Sequence, residues 1–294
     1  FSLRRLPCPE KGRHQAGWLR KRGGNRPLPK HPDRICRGHL LRPPRWLFPY
    51  RHAFHAGNHA DVLKHVVLGA LLSHLNGKEK GWRYVDTHAG AGGYSLEGRY
   101  AQKKGEFELG VARVLARDDA PPVVADYVAL VRRFNPPGAL EQYPGSPAIA
   151  QMLMRPQDQL RLSELHPTDH RILAAYLGKA PGVQVAHVDG FEALKSHLPP
   201  PTRRGLVLID PSYEGQRGAG DYARVVAALR DALQRFADGI YMVWYPRVSK
   251  VEAAQLPRRL RALAPKGWLE ARLDVQKPDE RGFGLAGSAR FVNN

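Results

Sequence analysis

Downstream of position 50, apolar and polar positions fall into two regular textures. Asn58 is placed to cap a helix, with Asp61 in its first turn. Val62, Leu63, Val66, Val67, Ala70, Leu71 and Leu75 follow at spacings of three and four, the stripe of an amphipathic helix. Short apolar runs over 83–87, 160–165, 183–189, 205–210 and 240–245 predict buried strands. Helix-like stretches around 169–177, 191–197 and 221–236 separate the later ones. This alternation predicts an α/β fold, a parallel sheet wrapped by helices, with ligands at the carboxyl ends of its strands. About fifty residues between the glycines at 90–93 and Ser146 contain no good strand. Helices over 107–116 and 123–134 are expected there, so 95–144 reads as a helical insertion in a domain spanning 49–294.

Residues 1–48 differ in texture. They are rich in Arg, Pro and Gly and show no helical or strand period. Such a segment buries too little apolar surface to order itself, so disorder is expected. It reads either as a basic RNA-binding arm or as untranslated or non-native sequence, and a start at Phe1 favours the second. Charge changes the picture further. Of a net +19, residues 1–49 hold 13 Lys+Arg against 2 acids, and the remainder holds 33 against 25. The body is thus moderately basic, which suits a polyanionic partner without identifying one. Both cysteines, Cys8 and Cys36, lie in the first segment, which leaves no disulfide framework or cysteine metal site for the body. No run approaches the roughly 18–20 apolar residues of a bilayer span, and no secretory start is visible. A soluble, cytoplasmic protein is expected.

Four strand ends carry candidate chemistry. Residues 84–93 read Tyr-Val-Asp-Thr-His-Ala-Gly-Ala-Gly-Gly, a strand running into glycines that allow close backbone approach to a ligand. Leu162-Ser163-Glu164-Leu165 places an acid where it would bond a ribose diol. Val188-Asp189-Gly190-Phe191 offers an acceptor for an adenine amine with an aromatic ring beside it. Each acid read singly serves equally well as a helix cap. Leu206-Val207-Leu208-Ile209-Asp210-Pro211-Ser212-Tyr213 is the sharpest element. Two acceptors, the Asp210 carboxylate and the Pro211 carbonyl, would take the two protons of an adenine amine and localise its lone pair toward a sulfonium methyl. The face of Tyr213 would stack on the base. The bland alternative is a strand that merely stops at proline.

Asp210-Pro211-Ser212-Tyr213 resembles the [D/N/S]-P-P-[Y/F/W] signature of amino-group methyltransferases, with Ser212 at the second proline. A closer resemblance is carried by residues 50–65, Asp86–Gly92, Tyr143–Pro147, Glu164–Pro167, Asp189-Gly190 and Trp244–Pro246. These are similar to the 23S ribosomal RNA adenine-N6 methyltransferases called the RlmJ family. The resemblance covers about 50–292. It implies a Rossmann-like class I methyltransferase sheet with an inserted helical subdomain, S-adenosyl-L-methionine as cofactor, and protein-free or early-assembly 23S rRNA as partner. It places His65, His88, Gly90, Gly92, Ser146, Glu164, Asp189, Gly190 and Asp210 around the cofactor. Asp210, Pro211 and Tyr213 become catalytic, and Tyr50, Arg51, His52 and Lys64 touch RNA. The family starts near Tyr50 and continues past Asn294, so a final segment is expected to be missing. Neither a membrane nor a metal is implied; His59 and His65 are six apart and off one another's helical face. The rival readings are a DNA adenine or protein amide methyltransferase, and a decayed RNA-binding protein. The basic residues Arg203, Arg204, Arg258, Arg259, Arg247, Lys250 and Lys64 are candidates for the phosphates flanking the target base.

Overall fold

In a computed structural model, residues 55–97, 105–213, 215–264, 267–275 and 287–293 are described. The N-terminal segment and the expected RNA contacts Tyr50, Arg51 and His52 lie outside them.

Helix α1 (His59–Asn76) starts where the pattern predicts, with the Asn58 side chain accepting from the backbone N–H of Ala60 and Asp61 at 2.9 and 3.0 Å. Its buried surface is wider than the predicted stripe. Leu68 and Leu72 are fully buried, whereas Ala70 is exposed. Numbered in chain order, the strands are β1 (Arg83–Asp86), β2 (Gly93–Ser95), β3 (Gln142–Pro144), β4 (Gln159–Ser163), β5 (Val183–Ala186), β6 (Gly205–Ile209), β7 (Ile240–Arg247), β8 (Trp268–Asp274) and β9 (Gly287–Asn293). Seven form one sheet in the order β5-β4-β1-β6-β7-β9-β8. The first five of that order run parallel; β9 is antiparallel to both β7 and β8.

Alternation along the strands splits the core into two layers. Tyr84, Leu160, Leu162, Leu206, Leu208 and Met242 face one layer, with Leu68 and Leu72 of α1, Ile149 of α5 (Ser146–Leu153) and Leu173 of α6 (Pro167–Leu177). Val85, Val207, Ile209, Tyr241 and Val243 face the other. There they meet Val225 and Leu229 of α8 (Gly215–Arg235), and Leu256 and Leu260 of α9 (Val251–Ala262). Helix α7 (Gly190–Leu194) sits between β5 and β6 in sequence. Full burial of each such aliphatic side chain is worth about 1.5–3 kcal/mol.

The expected strand-free insertion is corrected in one respect. Its three helices α2 (Glu106–Leu109), α3 (Val111–Leu115) and α4 (Pro122–Phe134) are bracketed by strands, because β2 and β3 pair antiparallel with Tyr94 opposite Tyr143. Three-residue strands, one starting at Gly93 and the other ending at Pro144, leave too little alternation to read from sequence. The helix expected over 107–116 breaks at Gly110, where the backbone lies against Gly57 and an added Cβ would sit 2.1 Å from the Gly57 carbonyl oxygen.

Candidate active site at the carboxyl ends of the strands

The chain runs from β1 outward to β4 and β5, then crosses back to β6 on the other side of β1. Such a reversal opens a crevice at the carboxyl ends of the strands. β1 and β6 are in register with Asp86 opposite Leu208, and the Thr87 N–H donates to the Leu208 carbonyl at 3.1 Å. The glycine turn and Asp210 therefore leave the sheet side by side.

Asp86 is fully buried and heavily bonded. Its Oδ2 accepts from the Tyr84 and Ser146 hydroxyls, both at 2.7 Å, and its Oδ1 from the His88 N–H at 3.2 Å. Burial raises its pKa to about 6 against those donors. Ser146, expected at the cofactor, spends its hydroxyl on this carboxylate. Gly90 and Gly92 follow with φ of +61° and +82°, conformations that penalise any Cβ. Glu164 closes over this turn, one carboxylate oxygen accepting from the Gly90 N–H and the other from the His166 N–H, both at 2.7 Å. Gly190 is pressed so close to β1 that a Cβ there would sit 1.9 Å from the Thr87 carbonyl oxygen.

Asp189 realises the capping alternative. Its Oδ1 accepts from the Phe191 N–H at 2.9 Å, and its Oδ2 from Arg224 at 2.6 Å. Burial opposes the charge, but Arg224 and the helix N–H groups outweigh it and hold the pKa below the ordinary value. The Arg224 guanidinium also lies 4.4 Å from the centroid of the Phe191 ring, whose other neighbour is His88 at 4.8 Å. Burial lowers the His88 pKa to about 4, so the ring is neutral at pH 7. Nothing in the sequence singled out Arg224; it is one charge among several on an amphipathic helix.

Lys64 corrects an expectation. Its side chain is 14% exposed and its ammonium bridges Asp61 and Asp210, each at 2.8 Å, so it faces a carboxylate pair and not a phosphate. Burial works against this charge, yet Asp210 and Asp61 prevail and raise the lysine pKa. The next residue of α1, His65, is 1% exposed, shares a 2.8 Å hydrogen bond with the Tyr143 hydroxyl, and has a buried Nε2 without a partner among the described residues. Burial drives its pKa well below 6.5.

Tyr213 is the second correction. It adopts φ +55°, is 2% exposed, and donates its hydroxyl to the Trp244 carbonyl at 2.7 Å. Its ring packs on Tyr222 at 4.6 Å and edge-on to Trp244 at 5.5 Å. In this arrangement it offers no face to a base; Ser212 is the exposed residue of the turn. Arg290 of β9 was not anticipated either. It is buried, donates to the Ala60 carbonyl at 2.7 Å, and lies 5.5 Å from the Trp244 ring centroid. Burial lowers its pKa to about 10 despite the nearby Asp210 and Asp61.

The phosphate candidates do not share a face. Arg203 and Arg204 immediately precede β6, at its amino end, whereas Asp210 follows its carboxyl end. A five-residue strand separates the two by about 17 Å. Arg247 ends β7 and pairs with Asp274.

Comparison with known proteins agrees with this architecture. Residues 79–294 match the family model described as "Ribosomal RNA large subunit methyltransferase D, RlmJ". The chain belongs to this family. Ribosomal RNA large subunit methyltransferase J of Escherichia coli (strain K12) is 44% identical over 84% of this chain and 87% of its own length. The protein of that name from Haemophilus influenzae is 42% identical over the same shares. Among solved structures, a protein from Legionella pneumophila (strain Philadelphia 1) matches with a TM-score of 0.73 at 35% identity, covering 82% of this chain and 86% of that one.

Proposed function

We propose that the chain transfers a methyl group from S-adenosylmethionine to the exocyclic nitrogen of one adenine in 23S rRNA. The observation that carries this is the placement of Asp210-Pro211 beside the Gly90–Gly92 turn, in a chain of the ribosomal RNA methyltransferase family. The crevice residues fit the cofactor. Four carboxylates, Asp86, Glu164, Asp189 and Asp210, end strands or loops around it, a field suited to a cationic sulfonium. The left-handed glycines and the close-packed Gly190 give the backbone access to a nucleoside. On this reading Glu164 would take the ribose, with Gly90, Gly92 and Gly190 as backbone walls and His88 and Phe191 beside the adenine. His65 and Ser146 act from behind, through Tyr143 and Asp86.

The cofactor supplies an electrophilic methyl group when bound. The protein's task is to aim a weak nucleophile at it. Lys64 holds Asp210 Oδ2, which leaves Oδ1 to accept one proton of the flipped adenine's amine; the Pro211 carbonyl accepts the other. With both protons held in the ring plane, the nitrogen lone pair is directed out of it. Tyr213 supports this turn from below through its bond to Trp244. We read 49–294 as one methyltransferase domain, with 95–144 as a substrate-facing insertion and the cytoplasm as its compartment.

The test incubates the full chain with labelled S-adenosylmethionine and protein-free 23S rRNA, a 23S hairpin, a matching DNA hairpin or assembled large subunits, then digests to nucleosides. N6-methyladenine from both RNAs, with poor transfer to DNA and to assembled subunits, is expected. Equal transfer to DNA overturns the ribosomal reading, and no transfer to any substrate overturns the enzymatic one.

A further inference from the structure

Opposite the crevice, five loops enter the strands: 77–82, 154–158, 178–182, 198–204 and 236–239. They carry Lys78, Lys80, Arg155, Lys179, Arg203 and Arg204 against Glu79, Asp158 and Asp238. Arg155 and Asp158 neutralise one another at 2.8 Å. Arg204 donates to the Leu75 carbonyl at 2.7 Å and to the Lys80 carbonyl, and Arg155 donates to the Lys78 carbonyl at 2.8 Å. These bonds fasten the 77–80 turn and leave the Lys78 and Lys80 side chains exposed, with exposed Arg203 on the adjoining loop.

The sheet itself extends the same charge. Arg83 and Arg161, on β1 and β4, both donate to the Gln159 side-chain oxygen, at 2.7 and 3.1 Å, so two guanidiniums share a neutral acceptor. The neighbouring His197 feels them. Burial lowers its pKa first, and the charges of Arg161 and Arg83 lower it further.

We propose that this basic edge is a second RNA-docking surface, taking backbone phosphates of rRNA outside the stem that presents the target adenine. The proposal rests on the reading of the chain as an rRNA methyltransferase. RNA is favoured over a protein partner because a protein interface needs buried aromatic or aliphatic anchors. None of the described exposed large hydrophobics, Leu109, Val123, Leu165, Val188, Val251 and Val275, lies in these loops. Phosphates need only fixed cations. Because the edge stands one strand length, about 17 Å, from Asp210, a minimal hairpin in the crevice brings few phosphates to it, whereas a longer fragment can reach both.

The experiment uses the full chain and the variant Lys78→Gln/Lys80→Gln/Arg203→Gln, with Lys78→Arg/Lys80→Arg/Arg203→Lys as the charge-retaining control. Binding and methylation are measured across a salt series on a minimal 23S hairpin and on a fragment several times longer. On the long fragment the neutralised variant should show Kd and KM raised about tenfold, with a log–log salt slope shallower by about two to three, as expected for three lost phosphate contacts. Both kcat values and the hairpin constants should stay unchanged, and the control should restore the long-fragment affinity. Equal weakening on both RNAs, no weakening on the long one, or failure of the control to restore binding overturns the proposal. If the parent chain methylates neither RNA, the enzymatic reading fails as well. A methylated hairpin without a fragment-specific loss sinks the second surface alone.

Discussion

The two ends of the sheet are built from opposite charges. At the carboxyl end stand Asp86, Glu164, Asp189 and Asp210, each held by dedicated donors: hydroxyls on Asp86, backbone N–H groups on Glu164, Arg224 on Asp189 and Lys64 on Asp210. At the amino end Arg83, Arg161 and Arg204 bond to backbone carbonyls or a neutral amide and keep their charge, while Arg155 is paired with Asp158. A chain that is basic overall thus gathers acids at its candidate site. Such a crevice offers acceptors to an uncharged base and a sulfonium, whereas the amino end offers cations to phosphates. Affinity and chemistry are therefore assigned to different places, and each end can be attacked separately.

The largest effect is expected at the carboxyl end. Asp210→Ala should lower the methylation rate by a factor on the order of a hundred or more, as loss of a preorganised electrostatic contact does. Calorimetric affinity for S-adenosylhomocysteine should change far less. Near-normal turnover would remove Asp210 from the reaction and leave the acidic end without its central member.

Beneath that turn, the buried Tyr213 gives a graded test of stability. Tyr213→Ala opens a cavity among Tyr222, Trp244 and their neighbours and should cost about 3–5 kcal/mol. Tyr213→Phe deletes only the bond to the Trp244 carbonyl and should cost about 1 kcal/mol. Urea melts of both variants decide it. If alanine costs no more than phenylalanine, the ring does not support the turn from the core.

The carboxyl end should also betray itself in acid, with two opposed contributions. Asp86, raised to about 6 in the folded protein, binds its proton earlier than when unfolded, so it adds stability as pH falls from about 6 to 4. His88, lowered to about 4, and His65, lowered well below 6.5, are held neutral, so they withdraw stability as pH falls below 6.5. Asp86→Asn removes the opposing contribution. Its melting temperature should therefore drop more steeply between pH 7 and 5 than the parent's, and that of His88→Asn less steeply. Parallel curves for all three would mean that these groups do not keep their folded-state protonation.

How much of this was legible follows from which residues announce themselves. Asp86, Glu164 and Asp210 end short apolar runs, and both the sheet and its acidic end can be read from that repetition. β8 and β9 could not. Glu270 and Arg272 interrupt the first, and the second buries Ser288, Arg290 and Asn293, polar types that a pattern assigns to solvent. Helix α9 contains Pro257, which reads as a breaker. The inward turn of Tyr213 depends on a left-handed φ at a non-glycine residue, and Lys64 is interior only because Asp61 and Asp210 await it. Those partners lie 3 and 146 residues away, and spacing reveals the first alone. Arg203 and Arg204 were legible as charge but not as location.

The smallest effect on turnover belongs to Arg204, and it separates the two ends most cleanly. Its guanidinium reaches the Leu75 carbonyl, one of the last four of α1, which no intrahelical N–H can satisfy, and the Lys80 carbonyl beyond the turn. A cation there also favours the negative end of the helix dipole. Arg204→Met keeps the apolar stem and removes the donors. It should lower stability by about 1–2 kcal/mol, the worth of charge-assisted bonds that are partly solvated. Methylation of a minimal hairpin at 25 °C should stay within a factor of two, because Asp210 stands about 17 Å away across the strand. Unfolding in urea and initial rates on the hairpin, taken on the same preparation, provide the check. A tenfold loss of rate without a loss of stability would tie the amino end to the chemistry and dissolve the division between the two ends.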